Sequence, residues 1–482
     1  MRRSISRIVA DRALAAPDAV VVVAEDRTLT ARQLDDAATG MAHDLVRAGV
    51  RHDDLVTVTL PNGADFIIAC AAVWRAGATP QPLSPLLTDA DRTAVESAAR
   101  PRAAIGASPR GAGIAWIATV QAAAGSGSLP DLAASSWMAA ATSGSTGVPK
   151  VVRATASARF EPVVRAVPLL PASAVQLVAA PMTHATVFSH TFGGLIAGHR
   201  LVIQRRFDEQ DWLGAVQAHS ATWAMLLPSM MHRLLRLPAA RRGRERLAGL
   251  ETILHLGARC APDLKRAFLE WAGPERVLEV YTGAESNGLT MIRGDEWLDH
   301  PGSVGRPVHG TEIQTRTPRG LAGPGQPGAV WLRRGATPAY SYLGTQSARE
   351  SSGWDTLGDV GWIDERGYLY LIDRIDEVIH RGGERIHPIE VERVLESHPA
   401  VRSAVAFGLP DEEWGQRVAA VVDIARSALS PAELRTWALS RLGARGAGRG
   451  PAGPQAGPQR CRKDLAPGVG EAVRRGGALS RS

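Results

Sequence analysis

Between Thr28 and Gly49 the chain reads TLTARQLDDAATGMAHDLVRAG, and its apolar residues return at every third or fourth position. That spacing predicts an amphipathic helix with Gly49 as its stop. The period then changes: LVTVTL predicts a strand, FIIACAAVWRAGA a second helix and TPQPLSPLL a loop. The same alternation returns after residue 150 in AVQLVAAP, LVIQRRF, DWLGAVQAHSATWAMLLPSMMHRLLRL, TILHLGA and RVLEVYTGAE. Strands alternating with helices predict largely parallel sheets, whose ligands gather at the carboxyl ends of the strands.

Around Gly305 the pattern shifts. GTEIQTRTP, GAVWLRR and YLYLIDRIDEVIH alternate with period two between turn residues, which predicts a β-rich portion. Beyond Asp376, HPIEVERVLESHPAV reads as a helix and SAVAFGLP and RVAAVVDI as strands. SPAELRTWALSRL reads as a last helix, opened by Ser430-Pro431 with Glu433 three positions after the serine. The expected fold class is α/β, with a large N-terminal domain of mainly parallel sheets packed with helices plus a β-rich subdomain (residues 1–375). A small C-terminal α/β domain (376–442) and a tail (443–482) complete it.

Composition narrows the function. The 482 residues are 45% hydrophobic and 21% charged, ordinary globular material long enough for more than one core. No apolar run is long enough to span a bilayer, and Arg7 and Asp11-Arg12 interrupt the start before an apolar signal can form. A cytoplasmic protein without a membrane span is expected. Cys70, Cys260 and Cys461 have neither metal-ligand nor disulfide-framework spacing. Most of the formal net charge of +7 sits in residues 443–482, where eight Lys/Arg face two acids. No aromatic stacking platform accompanies that basic tail, so no specific nucleic-acid partner is expected.

Residues 142–150, TSGSTGVPK, carry the sharpest chemistry. Glycines let backbone N–H groups turn inward, the hydroxyls add donors and Lys150 adds a full charge, so the stretch suits a polyphosphate. It is not a Walker A loop, because Pro149-Lys150-Val151 stands where Gly-Lys-Ser/Thr is required. A Ser/Gly run also suits a flexible linker. Here SSWMAAA before it and Val151-Val152 after it read as strands, which favours a loop held between two strands.

Five ordered stretches together resemble the adenylate-forming (AMP-binding) superfamily of acyl- and aryl-CoA synthetases, adenylation domains and luciferases, from about Thr28 to Leu442. The resemblance implies ATP-dependent activation of a carboxylic acid to an acyl-adenylate with release of pyrophosphate, then transfer to a thiol, most simply that of coenzyme A. It makes Thr142, Ser143, Gly144, Ser145, Thr146, Gly147 and Lys150 the phosphate loop and His184 in PMTHAT a pocket histidine. Gly257 and Ala258 in HLGARCAPDL, with Tyr281, would contact adenine; Glu285 in YTGAES would be the Mg²⁺ carboxylate. Asp359 in TLGDVGWID and Arg374 would hold the ribose. The small domain of such enzymes is mobile, turning about a hinge that falls on Asp376, and Gly382 and Gly383 would let a narrow thiol arm pass. Taken singly, Glu285 also suits a helix-start acid and His184 a satisfied buried histidine.

Two departures matter. Ala284 stands where the motif usually carries Ser or Thr, so a hydroxyl beside the α-phosphate is lost unless Thr282 or a water replaces it. The family's closing Pro-x-Thr-x-x-Gly-Lys segment, whose lysine bridges the acid and the α-phosphate, has no counterpart after Leu442. Lys463, in Cys-Arg-Lys-Asp, is a poor replacement, and the tail's composition does not support a core. The tail is expected to be disordered and read out of frame, with an alternate frame of the gene encoding the Gly-Lys ending. A genuine tail would impair activation of the acid, or leave a degenerate binder of ATP or acyl-adenylate; the retained Lys150, Glu285, Asp359 and Arg374 favour a working enzyme. PMTHATVFSHTFGG holds no acid to meet an ammonium, so an acyl or aryl acid is expected rather than an amino acid. The methionines of LLPSMMHRLL suit either a pliable pocket wall or the core. An acyl carrier protein, through its phosphopantetheine arm, is the alternative thiol partner.

Overall fold

A computed structural model describes residues 2–25, 27–120, 129–142, 150–161, 170–374, 377–382, 384–424 and 429–445. The chain forms two compact units: one of Met1–Gln314, Trp331–Leu357 and Ile363–Tyr370, and one of Thr315–Val330, Gly358–Trp362 and the chain from Leu371 onward.

The first predicted helix spans Ala31–Arg47. Thr30 caps it, accepting from the Gln33 N–H while the Gln33 side chain accepts from the Thr30 N–H. That reciprocal pair satisfies two of the donors a helix start leaves orphaned. Gly49 follows at φ +91°, a conformation that glycine adopts without a Cβ penalty.

The main sheet of the first unit has nine strands, in the order Arg306–Pro307, Leu289–Arg293, Val277–Thr282, Thr252–His255, Trp223–Leu226, Val175–Val178, Arg200–Ile203, Val20–Ala24 and Thr28–Thr30. The six strands from Val277–Thr282 to Val20–Ala24 run parallel. A four-stranded parallel sheet stands apart, ordered Thr79–Pro82, Leu55–Thr59, Ala103–Gly106, Ala115–Ile117. Thr79–Pro82 corrects the sequence reading of TPQP as a loop: it is a buried strand whose prolines are tolerated because it lies at a sheet edge.

Between the sheets the helices Ala64–Arg75 and Ala185–Ala197 lock through aromatic edges, with Trp74 against Phe192 at 4.9 Å and 85° and against Phe188 at 5.9 Å. Such edge-to-face pairs add specificity to the burial of the rings. Met230 and Met231 of the LLPSMMHRLL helix are buried in this core.

The second unit contains the long antiparallel hairpin Val401–Asp411 with Gly415–Ile424 and the helices Pro388–Glu396 and Pro431–Arg445. Its core gathers Val391, Val394, Leu395, Val401, Val418 and Leu434. The predicted start of the last helix is present as a capping box: Glu433 N–H donates to Ser430 Oγ, and Ser430 N–H donates to Glu433 Oε2 at 2.7 Å. Among the described residues, no helix is long and apolar enough to cross a membrane.

Candidate active site

Four neighbouring parallel strands deliver their carboxyl ends to one edge of the main sheet. Val175–Val178 leads to His184, Trp223–Leu226 to Leu227, Thr252–His255 to Gly257-Ala258, and Val277–Thr282 carries Tyr281 and leads to Glu285. Gly257 sits at φ +89°, and a Cβ there would lie 3.0 Å from Leu227 Cδ2, so the exposed turn is kept both left-handed and slim. Ala258 is exposed and Tyr281 half-buried. His184 is the N-cap residue of Ala185–Ala197 without a side-chain capping bond; it is exposed at the surface, and partial desolvation by its neighbours holds its pKa below the ordinary histidine value.

The loop that begins at Thr142 hangs from the antiparallel strands Ala139–Ala141 and Val151–Ala154. Its ends are pinned to each other: Thr142 N–H donates to Lys150 O at 2.8 Å, and Lys150 N–H donates to Thr142 Oγ1 at 3.1 Å. Ser143, Gly144, Ser145, Thr146 and Gly147 lie outside the described residues.

On the other side of Val151–Ala154 runs Tyr340–Leu343, with Tyr342 directly opposite Val152. Lys150 is two residues before Val152, which makes it the diagonal neighbour of Tyr342. Its Nζ lies over the Tyr342 ring, 5.5 Å from the centroid. The Tyr342 hydroxyl donates to Glu285 Oε1 at 2.8 Å, so one ring joins the loop lysine to the motif carboxylate. Burial first, then the Glu285 charge, pushes the phenol well above its ordinary range, and it stays a donor. Tyr340 braces the ring edge-on at 4.9 Å and is itself fixed by its hydroxyl bond to Asp355 Oδ2 at 2.7 Å. Sequence reasoning missed Tyr342. The signal was the alternation of YSYL beside a strand that ends the loop.

Gly283 lets Glu285 and Leu357 close in: a Cβ there would lie 2.6 Å from both Glu285 Oε2 and Leu357 Cδ2. A hard carboxylate oxygen at this strand end is the donor type that fits Mg²⁺, which takes one or two protein carboxylates and fills its shell from phosphates and water. Thr282 does not replace the hydroxyl lost at Ala284, because its Oγ1 donates to Gly288 O at 2.9 Å.

Beneath this edge lies a buried charge cluster. His255 and Glu279 are register partners on adjacent strands, and Lys265, from the helix Pro262–Ala272, pairs with Glu279 Oε2. His255 Nε2 is 3.6 Å from the same oxygen. Burial raises the Glu279 carboxyl while Lys265 opposes the rise; burial and Lys265 together hold His255 well below its ordinary value. Cys260 is pushed up to about 12, chiefly by burial, and Cys70 is raised by burial as well, so both stay protonated thiols.

In the second unit, Arg374 Nε lies 3.6 Å from Asp359 Oδ1. Gly382 takes φ +56°, donates its N–H to Trp414 O at 2.8 Å, and would place a Cβ 2.6 Å from Trp414 Cε3. Asp376 and Gly383 lie outside the described residues.

The AMP-binding enzyme family matches residues 9–343, and the AMP-binding enzyme C-terminal domain matches residues 390–448. The 2-succinylbenzoate–CoA ligase of Bacillus licheniformis is 31% identical over 454 residues, covering 89% of this chain and 92% of its own. The oxalate–CoA ligase of Arabidopsis thaliana is 29% identical over 454 residues, covering 86% and 88% respectively. Among solved structures, o-succinylbenzoate CoA synthetase from Bacillus subtilis in complex with its acyl-adenylate intermediate aligns with a TM-score of 0.75 at 26% identity, covering 92% of each chain. A strand-bound loop ending in Lys150, the turn at Gly257 and the carboxylate of Glu285 are thus set in a chain that belongs to the AMP-binding enzyme family.

Proposed function

We propose that this protein is an AMP-forming acid–thiol ligase. The carboxylate of an acyl or aryl acid attacks the α-phosphorus of ATP, the bond to the β-phosphate oxygen breaks, and pyrophosphate leaves. The thiol of coenzyme A then adds to the carbonyl of the acyl-adenylate, loses its proton and expels AMP. The observation that carries this reading is the Lys150–Tyr342–Glu285 connection, which brings a cation and a carboxylate to one place beside the phosphate loop. Lys150 neutralises the β- and γ-phosphates, and charge neutralised in advance lowers the barrier without reorganisation during the reaction. Magnesium bound at Glu285 Oε2 would supply further neutralisation of the phosphates. By this reading Gly257, Ala258 and Tyr281 would receive the adenine, and Asp359 and Arg374 would hold the ribose.

Acid-dependent exchange of labelled pyrophosphate into ATP, across fatty, aryl and amino acids, tests the first half; AMP release on adding coenzyme A tests the second. Absence of both would refute the reading. Activity with an acyl carrier protein but not with free coenzyme A would move the acceptor to the carrier's phosphopantetheine arm.

Tyr342→Phe removes only the hydroxyl that steadies Glu285. Partners that orient a metal ligand are typically worth about 10–100-fold in activity or metal affinity. The expected result is a loss of that size in exchange, partly recovered by raising Mg²⁺, with the KM for the acid unchanged. An unaltered Mg²⁺ dependence would mean that Tyr342 braces the strand and nothing more.

A further inference from the structure

Asp355 is only 1% exposed, and the groups that the described residues offer its carboxylate are neutral. The Tyr340 hydroxyl donates to Oδ2 at 2.7 Å and the Thr356 N–H to Oδ1 at 2.9 Å. Burying a carboxylate beside neutral donors works against stability, and an apolar pair of similar shape would fill the space without that penalty. Natural chains break such local rules chiefly where function requires it.

The carboxylate is also held in one place. The Asp355 N–H donates to Leu332 O at 2.9 Å, and the Leu332 N–H donates to Asp355 O at 2.8 Å. Tyr340 gives its proton to Asp355, so in its 2.7 Å contact with Ser347 Oγ it accepts. Burial, opposed by the Ser347 bond and reinforced by Asp355, raises the Tyr340 phenol above its ordinary value, so it stays a donor. Tyr340 and Tyr342 are two apart on one strand and share a face, with ring centroids 4.9 Å apart at 69°. The ring that Asp355 anchors is therefore the wall against which Tyr342 stands while its hydroxyl meets Glu285 Oε1.

We propose that Asp355 and Tyr340 are positioning residues of the activation step: the anchored Tyr340 ring keeps the Tyr342 hydroxyl on Glu285, so that carboxylate is oriented from a buried anion beyond two tyrosines. The inference rests on the ligase reading above and on the Tyr342 contact. It makes the buried Asp355 part of the handling of Mg²⁺, not of the strand's stability.

The test sets stability against function. Tyr340→Phe removes one hydroxyl, and Tyr340→Phe combined with Asp355→Leu removes both ends of the bond; Ser347 is exposed and turns to water. Because both partners go together, the double variant should unfold, without metal, at a urea midpoint equal to or above that of the wild type. Each variant should need at least about threefold more Mg²⁺ for half-maximal pyrophosphate exchange, a smaller shift than the one of about 10–100-fold expected of a direct partner of a metal ligand. Calorimetric binding of Mg²⁺ together with a non-hydrolysable ATP analogue should weaken in step, with the KM for the acid unchanged. In a Tyr342→Phe background neither variant should add to the Mg²⁺ requirement, because the hydroxyl that carries the effect is already gone. A lower midpoint with an unaltered Mg²⁺ requirement would make the pair a strut of the strand and overturn the inference. A requirement that rises just as far in the Tyr342→Phe background would overturn it too, and both results leave the ligase reading standing. Tyr340→Phe alone keeps the test open if the double variant does not fold. Wild-type protein that exchanges pyrophosphate with no acid would overturn the ligase reading and this inference with it.

Discussion

Glu285→Gln is expected to lower acid-dependent pyrophosphate exchange by about 10²–10³-fold, the usual cost of removing one preorganised electrostatic group from a reacting centre. The substitution is chosen for what it preserves. Glutamine has the same shape, and its amide oxygen can still accept from the Tyr342 hydroxyl that now meets Oε1. Gly283 still accommodates the second position without a clash. Only the negative charge goes, so a wild-type unfolding midpoint with collapsed exchange would locate the defect in the handling of Mg²⁺ and phosphate. Wild-type exchange at saturating Mg²⁺ would remove Glu285 from the reaction.

That argument draws on parts of the molecule that were unequally legible. The parallel-sheet architecture could be read where a buried strand is a short apolar run followed by a helix with its own stop, as in LVTVTL and FIIACAAVWRAGA. The last helix was legible down to its cap, because a capping box is a local signal: Ser430 and Glu433 satisfy each other within four residues. Thr79–Pro82 was not, since proline reads as a breaker unless the strand is known to be at an edge, and edges are a property of the whole sheet. Within the site, Glu285, Gly257 and Lys150 sit in motifs contiguous in sequence. Tyr342 reaches Glu285 from 57 residues away through a strand pairing that no local pattern specifies. Thr282 shows the converse: a hydroxyl available on paper is committed to Gly288 O in the fold.

Lys265→Met carries the second large effect, expected in stability. Lys265 is 1% exposed and Glu279 8% at the side chain, with His255 completely buried beside them. Removing the ammonium leaves a carboxylate in the core without its counter-charge, and breaking a buried pair in this way costs about 3–5 kcal/mol. The expected result is a clear fall in the denaturant midpoint of the first unit. Met also forgoes the approach of the ammonium to the Trp297 ring, now 5.3 Å from Nζ to the centroid. Lys265→Met combined with Glu279→Met should recover most of the loss, because two apolar side chains have no charge to desolvate. A double-mutant cycle on urea midpoints measures this, and additive losses would mean that the two residues act separately. His255 and Glu279 lie two residues before Gly257 and Tyr281 on paired strands, so the partly recovered double variant also asks whether these strands need the charge pair to hold their register.

The place of Val20–Ala24 in the main sheet has a consequence for how the protein is made. Its parallel partner, Arg200–Ile203, lies about 180 residues further along the chain. At ribosomal speeds of about 5–20 residues per second, the early strand waits roughly 10–35 s before that partner is synthesised. During this interval a VVVVA segment with strong β propensity has its ladder only half filled, by the adjacent Thr28–Thr30. Vectorial synthesis therefore exposes the nascent chain to wrong pairings at the first strand of its main sheet, and that sheet can be completed only late in translation.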